Sequence, residues 1–235
     1  KQAVGQVTAV TGRDVVPPIL TAVRLELGPD RLRLAATDKY RIALREVPWT
    51  GPVDPVRALV PAHQLAATAA ALDPAGEWSL GVEAGTVLTI RDGRRTCTLR
   101  LIDGAYPPIE SVVPESFAGA VQVERAALTE AIRRVSLAGD EGGRGAVVLA
   151  GGPGGSLEVT GGSGTSRGRQ RLPCRHSGPD VHAAFTASYL AGVLASIPQE
   201  QVLIRLDPGI GKVLVTASEE VGYQHVLMSR RLPGQ

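Results

Sequence analysis

His63-Gln64-Leu65-Ala66-Ala67-Thr68-Ala69-Ala70-Ala71-Leu72 returns, in nearly the same order of apolar and small positions, as Ser188-Tyr189-Leu190-Ala191-Gly192-Val193-Leu194-Ala195-Ser196-Ile197. A repeat of this spacing decides the architecture, because each copy must sit in a unit built like the other. Both copies read as short helices. Each then gives way to alternating apolar and polar runs, Trp78 to Ile90 and Val202 to Thr216, broken at Gly85 and at Gly209 to Gly211, which is the patterning of hairpins. Ahead of each copy lies another helix, Lys1 to Thr11 or Arg125 to Ala138. Two strands follow it, Val23 to Leu27 with Arg31 to Ala35, or Ala146 to Ala150 with Ser156 to Thr160. The turns are Gly28-Pro29-Asp30 and Gly151-Gly152-Pro153-Gly154-Gly155. Each half therefore reads helix, three strands, helix, three strands. This is an α+β duplication, with two helices in each half covering antiparallel sheets.

Pro107-Pro108 and Val112-Val113-Pro114 read as an extended connector, since proline continues neither a ladder nor a helix. The boundary is placed near Gly119, giving modules 1–119 and 120–235. The second module opens with Ala120-Val121-Gln122-Val123-Glu124-Arg125-Ala126-Ala127-Leu128 before its helix reaches Ala131-Ile132. The first opens with only Lys1-Gln2 before the equivalent Ala3-Val4. A strand and half a helix are missing there, and the expectation is a natural chain that continues upstream of Lys1.

Aromatic residues make up only 3% of the 235 residues, so the core must be built from Val, Leu, Ile and Ala. Apolar stretches such as Leu65 to Leu72 stop far short of the roughly 20 residues a membrane span needs, and no signal segment opens the chain. A cytoplasmic protein without a membrane partner is expected. Cys97 and Cys174 lie far apart with no Cys or His at ligand spacing, the pattern of reduced thiols rather than a disulfide or zinc site. No metal or other cofactor is expected. A formal charge of +2 is too small for bulk electrostatic gripping of nucleic acid, although charge concentrated on one face could still serve.

Five stretches, in order, resemble the bacterial DNA sliding clamp family, the DNA polymerase III β subunit, in its middle and C-terminal domains. They are Pro17-Pro18-Ile19-Leu20-Thr21-Ala22-Val23, Ala36-Thr37-Asp38-Lys39-Tyr40-Arg41-Ile42-Ala43-Leu44, Leu101-Ile102-Asp103-Gly104-Ala105-Tyr106-Pro107-Pro108, Phe185-Thr186-Ala187-Ser188-Tyr189-Leu190 and Leu227-Met228-Ser229-Arg230-Arg231-Leu232-Pro233. The resemblance implies tandem clamp modules in a ring around duplex DNA, with helices lining the pore and sheets forming the outer wall. It also implies a homo-oligomer that tethers without catalysis. An encircling protein needs only weak, sequence-blind attraction to phosphates in order to slide.

The resemblance further implies a groove between the two domains that receives linear motifs of protein partners. The matching positions are Thr37, Lys39, Tyr40, Arg41, Ile42, Pro114, Val226, Leu227, Met228, Ser229, Arg230, Arg231 and Leu232. A mostly apolar groove with a few polar groups suits the anchor side chains of an extended peptide. Where the family usually has Met-Pro followed by an apolar residue, this chain has Met228-Ser229-Arg230. Ser229 brings a backbone donor that proline lacks, and an apolar anchor would have to desolvate Arg230 at a cost of about a kcal/mol or more. On the pore side the expected DNA-facing residues are Lys1, Arg125, Arg133 and Arg134, set against Glu130. Arg91, Arg94, Arg95, Arg167, Arg169, Arg171 and Arg175 read as solubilising charges on the outer wall or its loops.

Other signals carry less. Gly209-Ile210-Gly211-Lys212-Val213 lacks the upstream glycine and the following Ser or Thr of a phosphate loop, and Gly161-Gly162-Ser163-Gly164-Thr165-Ser166 fails the dinucleotide fingerprint. Hairpin turns explain both. His63, His176, His182 and His225 stand at no catalytic spacing, and Asp38 beside Arg41 reads as a structural pair, so no enzyme is expected. Two functions from different classes fit: a clamp-type DNA tether, or a clamp-like sensing or assembly domain of a transcriptional regulator with a MerR-type helix-turn-helix upstream.

Overall fold

The computed structural model describes residues 1–12, 18–73, 75–114, 116–138, 145–163, 166–206, 211–217 and 222–230, with only the backbone described at Glu110 and Ser163. The chain forms two compact units, Lys1–Ile109 and Glu110–Gln235. Residues 110–119, which the sequence reading counted with the first module, group with the second. A 3-10 turn over Ile109–Val112 lies at this division, ahead of the first strand of the second unit, Gly119–Glu124.

The first unit runs α1 (Gln2–Thr8), β1 (Ala22–Leu27), β2 (Arg31–Thr37), β3 (Arg41–Pro48), β4 (Val56–Pro61), α2 (Ala62–Ala71), β5 (Ser79–Glu83), β6 (Val87–Arg91) and β7 (Thr96–Arg100). The second runs β8 (Gly119–Glu124), α3 (Arg125–Ser136), β9 (Ala146–Gly152), β10 (Ser156–Ser163), β11 (Ser166–Ser177), β12 (Val181–Thr186), α4 (Ala187–Ser196), β13 (Gln201–Leu206), β14 (Lys212–Ala217) and β15 (Tyr223–Met228). The duplication is visible in the hydrogen-bonded order. Strands β4-β1-β2-β3 of the first unit match β12-β9-β10-β11 of the second, and β5-β6-β7 match β13-β14-β15. All of these pairings are antiparallel.

Two elements depart from the sequence reading. Each unit has four strands between its two helices, not three. The additions, β4 and β12, run directly into α2 and α4, so the apolar alternation of Ala58, Val60 and Ala62, or of Ala183, Phe185 and Ala187, blends into the helix that follows. That smear hides a strand from periodicity alone. Strand β8 has no counterpart among the described residues of the first unit. It bridges the two sheets of the second, pairing with β11 at Cys174–Ser177 and with β13 along its whole length.

Helix α3 shows how sequence positions a working face. Leu128, Ala131, Ile132 and Val135 recur at helical spacing and are buried, each larger side chain contributing about 1.5–3 kcal/mol. The helix packs on β10 and β11. Gly161 and Gly168 are cross-strand partners, and a Cβ on Gly168 would stand 2.9 Å from the Val135 Cα. These glycines are therefore more than hairpin punctuation, since they let the end of α3 sit directly on the sheet. At the other end, the Arg125 backbone N–H donates to the Glu200 carbonyl (2.7 Å) and its Nε to the Gln199 carbonyl (2.9 Å). The face left toward solvent carries Glu130, Arg133, Arg134 and Leu137.

Candidate functional site

The turn joining β2 to β3 is built by Asp38. Its Oδ1 accepts from the backbone N–H of Tyr40 (3.0 Å) and Arg41 (2.8 Å), and its Oδ2 accepts from Arg41 Nε (2.9 Å). The guanidinium NH2 of Arg41 completes the ion pair at 2.8 Å, with both side chains largely buried. Thr37 closes the base: its hydroxyl donates to the Arg41 carbonyl (2.8 Å) and accepts from the Lys39 N–H (3.1 Å). Lys39 is thereby held at φ +81°, a left-handed conformation that side chains other than glycine's visit at a cost. The consequence is presentation. Tyr40 stands 59% exposed beside exposed Lys39, while Ile42 and Thr37 are buried below.

Tyr106 supports this turn from behind, a role the sequence reading did not assign. Its hydroxyl accepts the Thr37 N–H (3.1 Å) and donates to the Ala22 carbonyl (3.3 Å), and Arg24 lies 5.9 Å over its ring. Burial pushes the phenol up to about 12, so it stays protonated as a donor. The available signal was an aromatic residue in a chain that has very few.

In the second unit, β15 carries the other candidate groove residues. Val226 and Leu227 are buried, whereas Met228 is 39% exposed and Arg230 is exposed. Tyr223 fixes the strand against α4, its hydroxyl lying 2.7 Å from Ser196 Oγ and 3.1 Å from His225 Nδ1. Past the strand, Ser229 donates twice to the Gly211 carbonyl, from its N–H (2.8 Å) and its hydroxyl (3.0 Å). Proline could supply neither bond. The Arg230 N–H then donates to the Ala184 carbonyl (2.8 Å), tying the segment to β12. Pro114 is half-buried in the connector. Arg231 and Leu232 lie outside the described residues, as do Gly209 and Ile210.

The expected DNA-facing cations separate into two kinds. Lys1 Nζ donates to the Ala70 carbonyl (3.4 Å) at the C-terminal end of α2, and Arg125 is spent on the Gln199 carbonyl. Both are occupied by backbone. Arg133 and Arg134 are 62% and 60% exposed and share one carboxylate, Glu130. That carboxyl is held down to about 2, first by the hydrogen bonds from Arg133 and then by those from Arg134. Among the strand-end arginines, Arg169 and Arg171 pair with Glu158 as surface charges. Arg95 instead donates to the Ala71 carbonyl, so the β6–β7 turn folds onto the end of α2 rather than standing free as an edge charge. The described residues hold no group of three or more His, Cys, Asp or Glu able to bind a metal ion, and no helix among them is long and apolar enough to cross a membrane.

Residues 1–108 match the family model described as DNA polymerase III beta subunit, central domain, and residues 110–231 match its C-terminal domain. The chain belongs to the DNA polymerase III beta subunit family. It is 33% identical to a beta sliding clamp of Streptomyces coelicolor over 99% of this chain and 64% of that protein. It is 30% identical to the beta sliding clamp homolog GriR of Streptomyces muensis over 94% of this chain and 59% of that protein. The crystal structure of a DNA polymerase sliding clamp from Pseudomonas aeruginosa superposes with a TM-score of 0.91 at 25% identity, covering 98% of this chain and 64% of that one. The chain thus spans less than two thirds of the length of the relatives it matches. The α+β, duplicated clamp fold expected from the sequence is the fold observed. The matches lend no support to the regulator alternative.

Proposed function

We propose that this chain is the central and C-terminal part of a non-catalytic sliding clamp that tethers protein partners to duplex DNA in the cytoplasm, as a homo-oligomer. The observation that carries the reading is that both family domains run in order through nearly the whole chain, on a fold that superposes on a solved clamp. Weak phosphate attraction through the exposed face of α3 suits sliding, since tight contacts would stall it. The direct test is retention on DNA: protein assembled on closed circular plasmid should persist, and protein on linear plasmid should be lost by running off the ends. Equal, rapid loss from both would reject encirclement.

Partner motifs are proposed to dock on Thr37, Lys39, Tyr40, Arg41 and Ile42, and on Pro114 with Val226, Leu227, Met228, Ser229, Arg230, Arg231 and Leu232. Tyr40 and Met228 supply exposed apolar surface for anchor side chains. Ser229 and Arg230 alter that surface: the first locks the segment onto Gly211, and the second adds a charge that an apolar anchor must desolvate. A clamp-binding peptide from a replicative polymerase should therefore bind Arg230→Val more tightly than the natural sequence. Equal binding would remove Arg230 from the account.

A further inference from the structure

Helix α3 carries all the Lys, Arg, Asp and Glu residues found within the four described helices: Arg125, Glu130, Arg133 and Arg134. With Arg125 half-buried and bonded to backbone, the charged side chains that α3 turns toward solvent are one carboxylate and two guanidinium groups. Their geometry is specific. Arg133 meets the carboxylate fork to fork, Nε to Oε2 at 2.8 Å and NH2 to Oε1 at 2.8 Å, while Arg134 Nε reaches Oε1 at 2.7 Å. A phosphate with two free oxygens is recognised by arginine through the same bidentate arrangement.

We propose that Glu130 is an internal stand-in for DNA phosphate, which holds Arg133 and Arg134 until a backbone phosphate displaces it and so sets how weakly the chain grips duplex DNA. The inference rests on the clamp reading above and deepens it. Each arginine must exchange a carboxylate for a phosphate, one charge-assisted set of hydrogen bonds for another, so little affinity is gained per contact. Sequence-blind sliding needs that balance. Helix stability gives Glu130 only a minor role, since exposed i,i+3 and i,i+4 ion pairs of this kind add little. The helix is secured by its opposite face, Leu128, Ala131, Ile132 and Val135, and cations in its last turn already suit the helix dipole without a carboxylate partner. The strong hold on the proton-free form of Glu130 agrees with a carboxylate fully engaged by both arginines.

The test is anisotropy of a labelled random-sequence duplex titrated with the full-length protein over a salt series. Glu130→Gln should tighten binding about five- to tenfold at low salt and steepen the slope of log K against log salt by about 0.9, one phosphate contact. Adding Arg133→Ala and Arg134→Ala should abolish that gain. A Glu130→Gln protein that binds like the wild type overturns the proposal. So does a gain that persists without the two arginines, which would be bulk charge alone. Circular dichroism checks that the exposed substitution leaves the helices formed. Binding by neither wild type nor Glu130→Gln at any salt also overturns the proposal, whereas the clamp reading stands or falls on retention on circular against linear plasmid. Wild-type binding that Glu130→Gln leaves unchanged defeats only the role of Glu130.

Discussion

Removing the Asp38 carboxylate should collapse the turn that presents Lys39 and Tyr40. Asp38→Ala strips the acceptor from two backbone N–H groups, at Tyr40 and Arg41, and ends the ion pair with Arg41. Each backbone bond contributes about 0.5–1.5 kcal/mol, toward the low end here because Tyr40 borders solvent, and the charge-assisted pair about 1.5–3. The loss is roughly 3 kcal/mol, which lowers the melting temperature of a unit of this size by at least about 10 °C. Asp38→Asn keeps the Oδ1 acceptor and loses the charge, so it should cost about half as much. Both tryptophans, Trp49 and Trp78, lie in the first unit, so their fluorescence during urea denaturation reports on the unit that holds the turn. The midpoint should fall in the order wild type, Asp38→Asn, Asp38→Ala, at unchanged slope. If Asp38→Ala stays within about 0.5 kcal/mol of wild type, or Asp38→Asn is equally damaging, the carboxylate is not what builds this turn.

Lys39→Gly should leave stability unchanged or raise it slightly by urea denaturation, because relief of the left-handed conformation, about 1–2 kcal/mol, offsets the glycine entropy cost of about 0.5–1. A clear loss would mean the Lys39 side chain is structural. Tyr106→Phe leaves the Thr37 N–H without its acceptor and should cost about 1–2 kcal/mol in the same assay. Gly168→Ala places a methyl against Val135 and should cost about 1–3 kcal/mol in thermal melts of the full chain. Carboxyl NMR should place the Glu130 titration near about 2, so its pairing is complete above the ordinary value of 4.5 and is lost only as pH falls through the depressed one. In Arg133→Ala with Arg134→Ala the midpoint should return toward 4.5.

Repetition was legible because helices of small residues are followed by alternating runs, and two copies of one pattern constrain each other. Strands β4 and β12 were not, because each runs without a turn into a helix and leaves no break in its apolar pattern. At the partner site, the Asp38 and Arg41 pair was readable from their nearness in a turn. The Tyr106 bond to Thr37 was not, since it joins positions far apart in sequence. The same holds for Lys1 and Arg125, whose side-chain donors bond to backbone carbonyls far away in sequence. A sequence shows which residues carry charge, whereas the fold decides which of their donors are already engaged. The glycines at 161 and 168 make a similar point, because a gap under a helix has no signature in a linear pattern.

The central claim is that the protein holds DNA by enclosing it, and cutting the DNA beneath it tests that most directly. The full-length protein would be loaded on nicked circular plasmid, separated from free protein, and followed while a restriction enzyme linearises the circle. Enclosure predicts stable retention before the cut and release that tracks linearisation. Release that proceeds at one rate whether or not the circle is cut would contradict it.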